Sequence, residues 1–369
     1  MKKQIFYGLL LSTVALEAIE LKHDGYVRWG YQSFKNNASS EYDSAIGGKL
    51  NVELQQKGYF ALGATFYTTN ALSNKENIGV PFYSSQNNSY TLLGEAYLRL
   101  KLGQTKAVIG RQLFDSPFAN SDDVGMTPNT FEGIVVTSKE IPNAKIVGAY
   151  LAKWSGVDSD TPQEFTRLNG DRGLYILGGV YGGVENLKLK AWFYNLQDNA
   201  MLSYFEANYD FKVDEVQVAL ATQYSVQDYE NGDHSTIYGA FIEASTNHMR
   251  AVLAYNEVDG GAADNFFGGG PFFTSAQHIT VTDGGDNATA LLLGASLDLG
   301  VVGIENLVLG VSYLDVERQR LQAINEFDVT LEYSYAKNLN LQLIYSDIED
   351  KSFNDESFKN VRVFVNYSF

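Results

Sequence analysis

Cysteine is absent from this 369-residue chain, so it can build no disulfide framework, thiolate metal site or thiol nucleophile. Histidine is scarce: His23, His234, His248 and His278 are the only four, and none stands at a recognisable spacing to an activated serine. There is no G-x-S-x-G elbow, no H-E-x-x-H pair and no phosphate-binding glycine loop. No enzyme activity is expected. Basic residues are in deficit, with 27 Lys+Arg against 44 Asp+Glu and a net charge of −17. Nucleic acid is thereby excluded as a partner, because neutralising phosphates needs Lys and Arg. A surface or pore of this sign attracts cations and repels anions.

Long apolar runs are also missing beyond the first residues. "MKKQIFYGLLLSTVALEA" has two lysines, an apolar stretch and small residues, the pattern of a secretory signal over residues 1–18. Ala15 is a rival cleavage position to Ala18. The apolar stretch falls short of the ~20 residues needed to span a bilayer. Residues 19–369 then form one exported unit with no transmembrane helix.

What the chain does have is alternation. "NLNLQLIYS" sets Leu339, Leu341, Leu343 and Tyr345 against Asn340, Gln342 and Ser346. "NLKLKAWFY" sets Leu187, Leu189, Ala191 and Phe193 against Lys188, Lys190, Trp192 and Tyr194. Period two means strand, with one apolar and one polar face. On this pattern the chain is all-β, with about 18 strands. They are predicted near 24–34, 43–57, 58–70, 90–102, 104–113, 130–140, 143–155, 172–183, 186–197, 199–211, 213–226, 235–246, 248–256, 287–299, 304–316, 324–336, 338–348 and 358–369. Short connections such as "LGQT" and "GVEN" alternate with long ones such as 113–129 and 257–286. That describes a meander whose two ends face different surroundings.

A secreted β-sandwich would bury its apolar faces in a dry core. Here the polar faces carry charges repeatedly, as at Glu53, Glu95, Arg99, Lys101, Glu206, Glu243, Arg250, Glu332 and Arg362. A closed meander of this size is too wide for side chains to fill, so its polar face would line water. The apolar faces carry aromatics near strand ends, at Trp29, Tyr31, Tyr209, Tyr255, Tyr313 and Tyr333, as interfacial girdles do. The predicted fold is a transmembrane antiparallel β-barrel with short periplasmic turns and long extracellular loops, in the outer membrane of a Gram-negative bacterium. Closing the sheet leaves no unpaired edge in lipid. The last strand, "NVRVFVNYSF", would pair with the first; it places Val361, Val363, Val365, Tyr367 and Phe369 on its lipid face.

Those terminal residues resemble the signal read by the outer-membrane barrel-assembly machinery. The stretch "IGRQLFDSPFANSDDVGMTPNTFEGIVVTSKEIPNAKIVGAYL", residues 109–151, resembles the OprD-type porins and the related major outer membrane proteins. In those, "GRQ" ends a strand, and a third loop carries acidic residues before a Pro and a "TF-x-G" strand. The likeness implies that this loop, about 113–129, folds into the pore, and that a basic ladder and an acidic loop guide charged solutes. This chain matches the acidic loop better than the ladder.

On that reading the acidic side of the constriction is Asp115, Asp122, Asp123 and Glu132, faced by Arg28, Arg99, Lys101, Arg111 and Arg362 on the wall. Opposed charges would orient dipolar solutes and set ion preference. Between Arg250 and Arg318 no Lys or Arg occurs, so loop 257–286 is expected to give a purely acidic sector, with "FFGGGPFF" as a mobile tip. "DSD" at 158–160 and "DGGDN" at 283–287 offer oxygen ligands but lack the spacing of a calcium loop. No cofactor is expected; calcium in these loops, or divalent cations screening contact with lipopolysaccharide and outer-membrane lipid, are the alternatives. Gly47, Gly63 and Gly94 are read as lipid-facing and able to pack a homotrimer, with a monomer equally open. The expected function is a porin passing small hydrophilic solutes and ions with cation preference. The alternative is a plugged barrel acting as a structural or adhesive surface protein.

Overall fold

All eighteen strands marked by alternation are present in the computed structural model, which describes residues 19–56, 58–72, 82–317, 323–351 and 357–369. The expected signal, 1–18, lies outside the described residues. In chain order the strands are β1 (Ile19–Asn36), β2 (Ser40–Gln56), β3 (Phe60–Ala71), β4 (Tyr90–Leu102), β5 (Thr105–Gln112), β6 (Thr130–Ser138) and β7 (Ala144–Ser155). There follow the two-residue β8 (Thr166–Arg167), β9 (Leu174–Val184), β10 (Leu187–Leu196), β11 (Ala200–Val213), β12 (Val216–Tyr229) and β13 (His234–Ser245). The set ends with β14 (Met249–Gly260), β15 (Thr289–Asp298), β16 (Leu307–Glu317), β17 (Ile324–Ala336), β18 (Leu339–Asp350) and β19 (Phe358–Ser368).

Each strand pairs antiparallel with its successor, except that β7 pairs mainly with β9 and only its end with β8. The ring closes where β1 meets β19, in unbroken register from Tyr26↔Ser368 to Asn36↔Phe358. Eighteen strands therefore make a closed barrel, and β8 is an accessory strand at its rim. β14 runs past its expected end at 256 because Ala254, Asn256 and Val258 keep turning inward, all 1% exposed or less.

The short turns sit together at one end. Asn186 and Asp214 hold left-handed backbone there (φ 61° and 53°), which Asn and Asp tolerate and most residues do not. The connections 113–129, 156–173 and 261–288 lie at the other end.

Outward residues are apolar and exposed, as Leu177, Phe193, Leu253 and Leu293 are. An aromatic belt rings the outside, with Tyr150 and Tyr175 (4.9 Å between centroids), Phe193 and Phe205 (5.5 Å) and Tyr224 and Tyr238 (5.5 Å) in contact. Gly47, Gly63 and Gly94 do not face lipid. A side chain at Gly47 would run into the Thr68 carbonyl of β3 and then Met126, and one at Gly63 or Gly94 would meet Tyr97 or Tyr67, whose side chains lie inside the barrel. They are small to make room for large residues across the lumen face, so they cannot pack a subunit interface.

Candidate pore constriction

After β5 the chain turns inward. Ser116 closes a turn on the Ala119 carbonyl (N to O 2.8 Å), and this sets Phe118 inside the barrel with no exposed surface. Its ring meets Tyr194 and Tyr204 of the wall edge-on, at 5.4 and 6.1 Å, and Phe266 and Phe272 of the 261–288 loop at 5.6 and 6.1 Å. Backbone bonds join the two loops as well: Asn120 N–H donates to Phe267 O, and Phe267 N–H to Phe118 O. The loop then crosses to the opposite wall, where Arg28 of β1 grips Asp123 and the Gly125 carbonyl.

The "FFGGGPFF" segment is not a mobile tip. Phe272 is 3% exposed, the Phe273 N–H donates to Gln223 (2.9 Å), and Thr274 is held by Asn256. Beyond it, the His278 and Ile279 N–H groups both donate to Glu326, and Gln277 accepts from Arg362. Four phenylalanines in a water-filled barrel would be costly, so they bury one another against the wall and fill what strand side chains cannot reach. The three glycines let the chain fold that tightly; Gly268 and Gly269 adopt φ of 89° and 70°.

The expected acidic residues take three different positions. Asp115 is exposed on the loop, its carboxylate accepting from Ser121 N–H (3.1 Å) and the Ser121 hydroxyl (2.5 Å). Asp123 is tied to Arg28. Asp122 is packed where three loops meet; burial and the nearby Asp158 charge push its carboxyl up to about 6, against the Gly269 N–H and Arg362. Asp158 is itself raised by burial, although Asn129 donates to it at 2.6 Å. His278 is lowered to about 4 by burial and the Arg362 charge.

Glu132 is not in the constriction and Arg111 does not line the pore. They face each other across β5–β6 on the side of the exposed Ile109 and Ile134, while Val108, Val135, Gln112 and Phe131 take the buried side. Arg111 and Lys153 both bind Glu132 at 3.0 Å on that outer wall. Strand parity decides this, and charge alone does not reveal it.

Among the remaining basic residues, Arg99 pairs with Glu53 (2.5 Å), which Tyr97 also contacts. Arg362 reaches Gln277 and the Val124 carbonyl, and is 5% exposed. Lys101 faces Lys106 across β4–β5. Lys106, with Arg99, Lys139 and Lys145 in electrostatic reach, belongs to a basic strip not recognised from sequence. The strip continues to Lys188 and Lys190 on β10, the lumen partners of Trp192 and Tyr194. Its signal was present in the "LKLK" alternation. Phe364 likewise turns inward on the last strand, against Phe82 (5.8 Å) and under the Arg28 guanidinium (5.5 Å).

The space left beside the 113–129 loop is a cavity of about 360 Å³, with Asp115, Ser116 and Asn120 on one side and Lys145, Lys190 and Glu206 on the other. Lys190 and Glu206 pair at 2.6 Å. A second space of about 740 Å³ shares Lys145 and Lys190 and runs to Lys139 and Lys188 near the short-turn end. The arrangement opposes a loop carboxylate to wall ammonium groups above a basic exit. Among the described residues, no three His, Asp or Glu side chains gather as metal ligands.

The sequence profile described as "outer membrane porin, OprD family" matches residues 30–369. Among solved structures, Pseudomonas aeruginosa OpdK with vanillate superposes with a TM-score of 0.84 at 18% identity, covering 95% of this chain and 98% of that one. Acinetobacter baumannii OccAB1 gives 0.81 at 16% identity, covering 95% and 96%. A BenF-like porin from Pseudomonas fluorescens Pf-5 gives 0.82 at 15% identity, covering 95% and 98%. Among curated protein sequences, none matches this chain.

Proposed function

The chain belongs to the OprD family of outer membrane porins, and on that premise we propose how its channel selects solutes. A porin of this family sits in the outer membrane of a Gram-negative bacterium and offers small solutes a path; it is a channel and not an enzyme. In our reading the path runs between Asp115 and the Lys145–Lys190 wall and leaves along Lys188 and Lys139. The observation that carries this is that the two cavities share Lys145 and Lys190.

Two charge effects act in series. The acidic balance of the whole chain, −17, enriches cations at the mouths and gives simple salts a cation preference. At the constriction, a solute bearing a carboxylate meets a strip of ammonium groups spaced along the wall, while Asp115 holds any positive end on the other side. OpdK was solved with vanillate, a carboxylate. We propose small carboxylate-bearing solutes as the class this strip favours.

Planar-bilayer recording tests both parts. Discrete channels with a reversal potential toward cations in a KCl gradient are expected, and added aromatic or aliphatic carboxylates should produce brief blockades. A silent bilayer would favour the plugged structural barrel instead. Anion selectivity at neutral pH would overturn the cation preference.

A further inference from the structure

The ion cluster on the outer wall of β5–β7 is not used by the pore. Arg111 and Lys153 bracket Glu132, and Phe165 lies under the Arg111 guanidinium at 4.2 Å. Two cations against one carboxylate leave a positive excess, on a protein that is otherwise acidic. Its height is set by register. Ile134 pairs with Tyr150, which pairs with Tyr175 in the aromatic belt, and Glu132 is one outward position beyond Ile134 toward the loop end. The cluster therefore stands just above the belt, at the headgroup level of the outer leaflet.

Below it on the same wall is an apolar groove of about 680 Å³. Gly179 and Ala191, a cross-strand pair, and Ala207 form its floor, and Leu177, Phe193 and Tyr181 rise beside it. Gly148, open on its outer side, leads from the groove toward Lys153 on β7. Seven residues of strand separate Ile146, at the groove's edge, from Lys153, roughly 23 Å at about 3.3 Å per residue, the combined length of a sugar headgroup and an acyl chain.

We propose that this surface binds a phosphorylated acyl-glycolipid of the outer leaflet, lipid A in chemistry, with phosphate on Arg111 and Lys153 and one acyl chain in the Gly179–Ala191–Ala207 groove. Charge complementarity selects the headgroup, because phosphate accepts the fork of Arg and the free N–H groups of Lys. The groove distinguishes this from a bare ion contact. The inference rests on the outer-membrane placement and is independent of the pore reading.

The test is native mass spectrometry of the purified full-length barrel in detergent, titrated with diphosphoryl lipid A, dephosphorylated lipid A and phosphatidylglycerol. The wild type should bind diphosphoryl lipid A about tenfold more tightly than either of the others. The triple variant Arg111→Gln, Glu132→Gln, Lys153→Gln removes the cluster without leaving an unpaired carboxylate, and should lose that preference. Ala191→Phe fills the groove and should weaken binding several-fold while keeping the preference for phosphate. Heat-modifiable migration and unaltered channel conductance show that both variants are folded. Equal binding of the three lipids, or wild-type binding by the triple variant, overturns the proposal. A wild-type dimer or trimer that Ala191→Phe dissociates would make the groove a subunit contact, and also overturns it.

Discussion

Arg28 on the first strand holds Asp123 on the inward loop by two hydrogen bonds, of 2.7 and 2.9 Å, and so anchors the constriction to the seam of the barrel. The same guanidinium donates to the Gly125 carbonyl and to Asn366 of the last strand. One side chain thus ties the loop, the first strand and the last strand together.

Arg28→Ala leaves the Asp123 carboxylate and the Gly125 carbonyl without their donor. Removing one partner of a fully buried pair costs about 3–5 kcal/mol, but Asp123 keeps 42% of its side chain exposed, so solvent screening reduces the expected cost to about 1–3 kcal/mol. The loop should become noisier in single-channel records and more readily cut by protease. Asp123→Asn, which keeps an acceptor, should do less. Quiet, wild-type channels in Arg28→Ala would show that the Phe118 packing alone fixes the loop.

Asp122 gives a pH dependence of opposite sign to most carboxylates. Its folded value is about 6 against an ordinary 3.8, so across that window the folded protein binds more protons than the unfolded chain. The contribution is favourable below about pH 4 and is lost as the pH rises through 6. Asp122→Asn should therefore raise the thermal midpoint at pH 7.5, by an amount worth about 1 kcal/mol after allowing for partial exposure. The difference from wild type should vanish near pH 4. A variant less stable than wild type at pH 7.5 would mean that the charged form is the one the loops require.

Barrel topology was legible because lipid acts on every second residue: Leu339, Leu341 and Leu343 must face it, whatever the rest of the chain does. The lumen face obeys no such uniform rule, since each residue there answers to a particular partner. Hence Arg111 and Glu132, plausible by charge, proved to stand on the outer wall by one step of parity. Alternation put Lys190 on the polar face but could not join it to Lys145, because which strands stand side by side around the lumen is known only once the barrel is closed. "FFGGGPFF" misled for the same reason: glycine richness suggested freedom, and only the partners explain why four phenylalanines sit there, Phe118 for Phe266 and Phe272, Trp154 for Phe267 and Phe241 for Phe273.

Selectivity at the constriction should follow the two walls separately. A unit charge acting through water at about 7 Å is worth about 0.6 kcal/mol, and salt screening reduces that. Asp115→Asn should lower the cation-to-anion permeability ratio, and Lys145→Gln should raise it, each about two- to threefold. Reversal potentials in a KCl gradient measure both. A ratio unchanged by either substitution would place the narrowest part of the path elsewhere.

Phe118 carries the packing of the inward loop, touching two wall tyrosines and two phenylalanines of the neighbouring loop. Phe118→Ala should cost the loop about 3–5 kcal/mol, the range for truncating a buried aromatic. Because the barrel wall closes without it, heat-modifiable migration should survive while conductance rises. Unchanged conductance would show that the 261–288 loop holds the constriction by itself.

Whether Phe369 does more than close the seam can be tested with one pair of variants. Its N–H donates to Gly25 O at 3.0 Å and its carbonyl accepts from Gly25 N–H at 3.1 Å, making the last rung of the seam. Its ring lies over Gly25, where an added Cβ would approach it to 2.7 Å. Deleting the residue loses both backbone bonds, worth about 1–3 kcal/mol together. Phe369→Ala keeps them and loses only the ring of a residue that is 56% exposed, which adds little to the packing. Were the terminal aromatic only a seam residue, Phe369→Ala would assemble normally. We expect instead that it lowers outer-membrane yield in cells several-fold, as a recognition signal for the assembly machinery would require. Refolding of the purified variant into detergent should remain close to wild type. Equal losses in cells and in detergent would return the explanation to the seam.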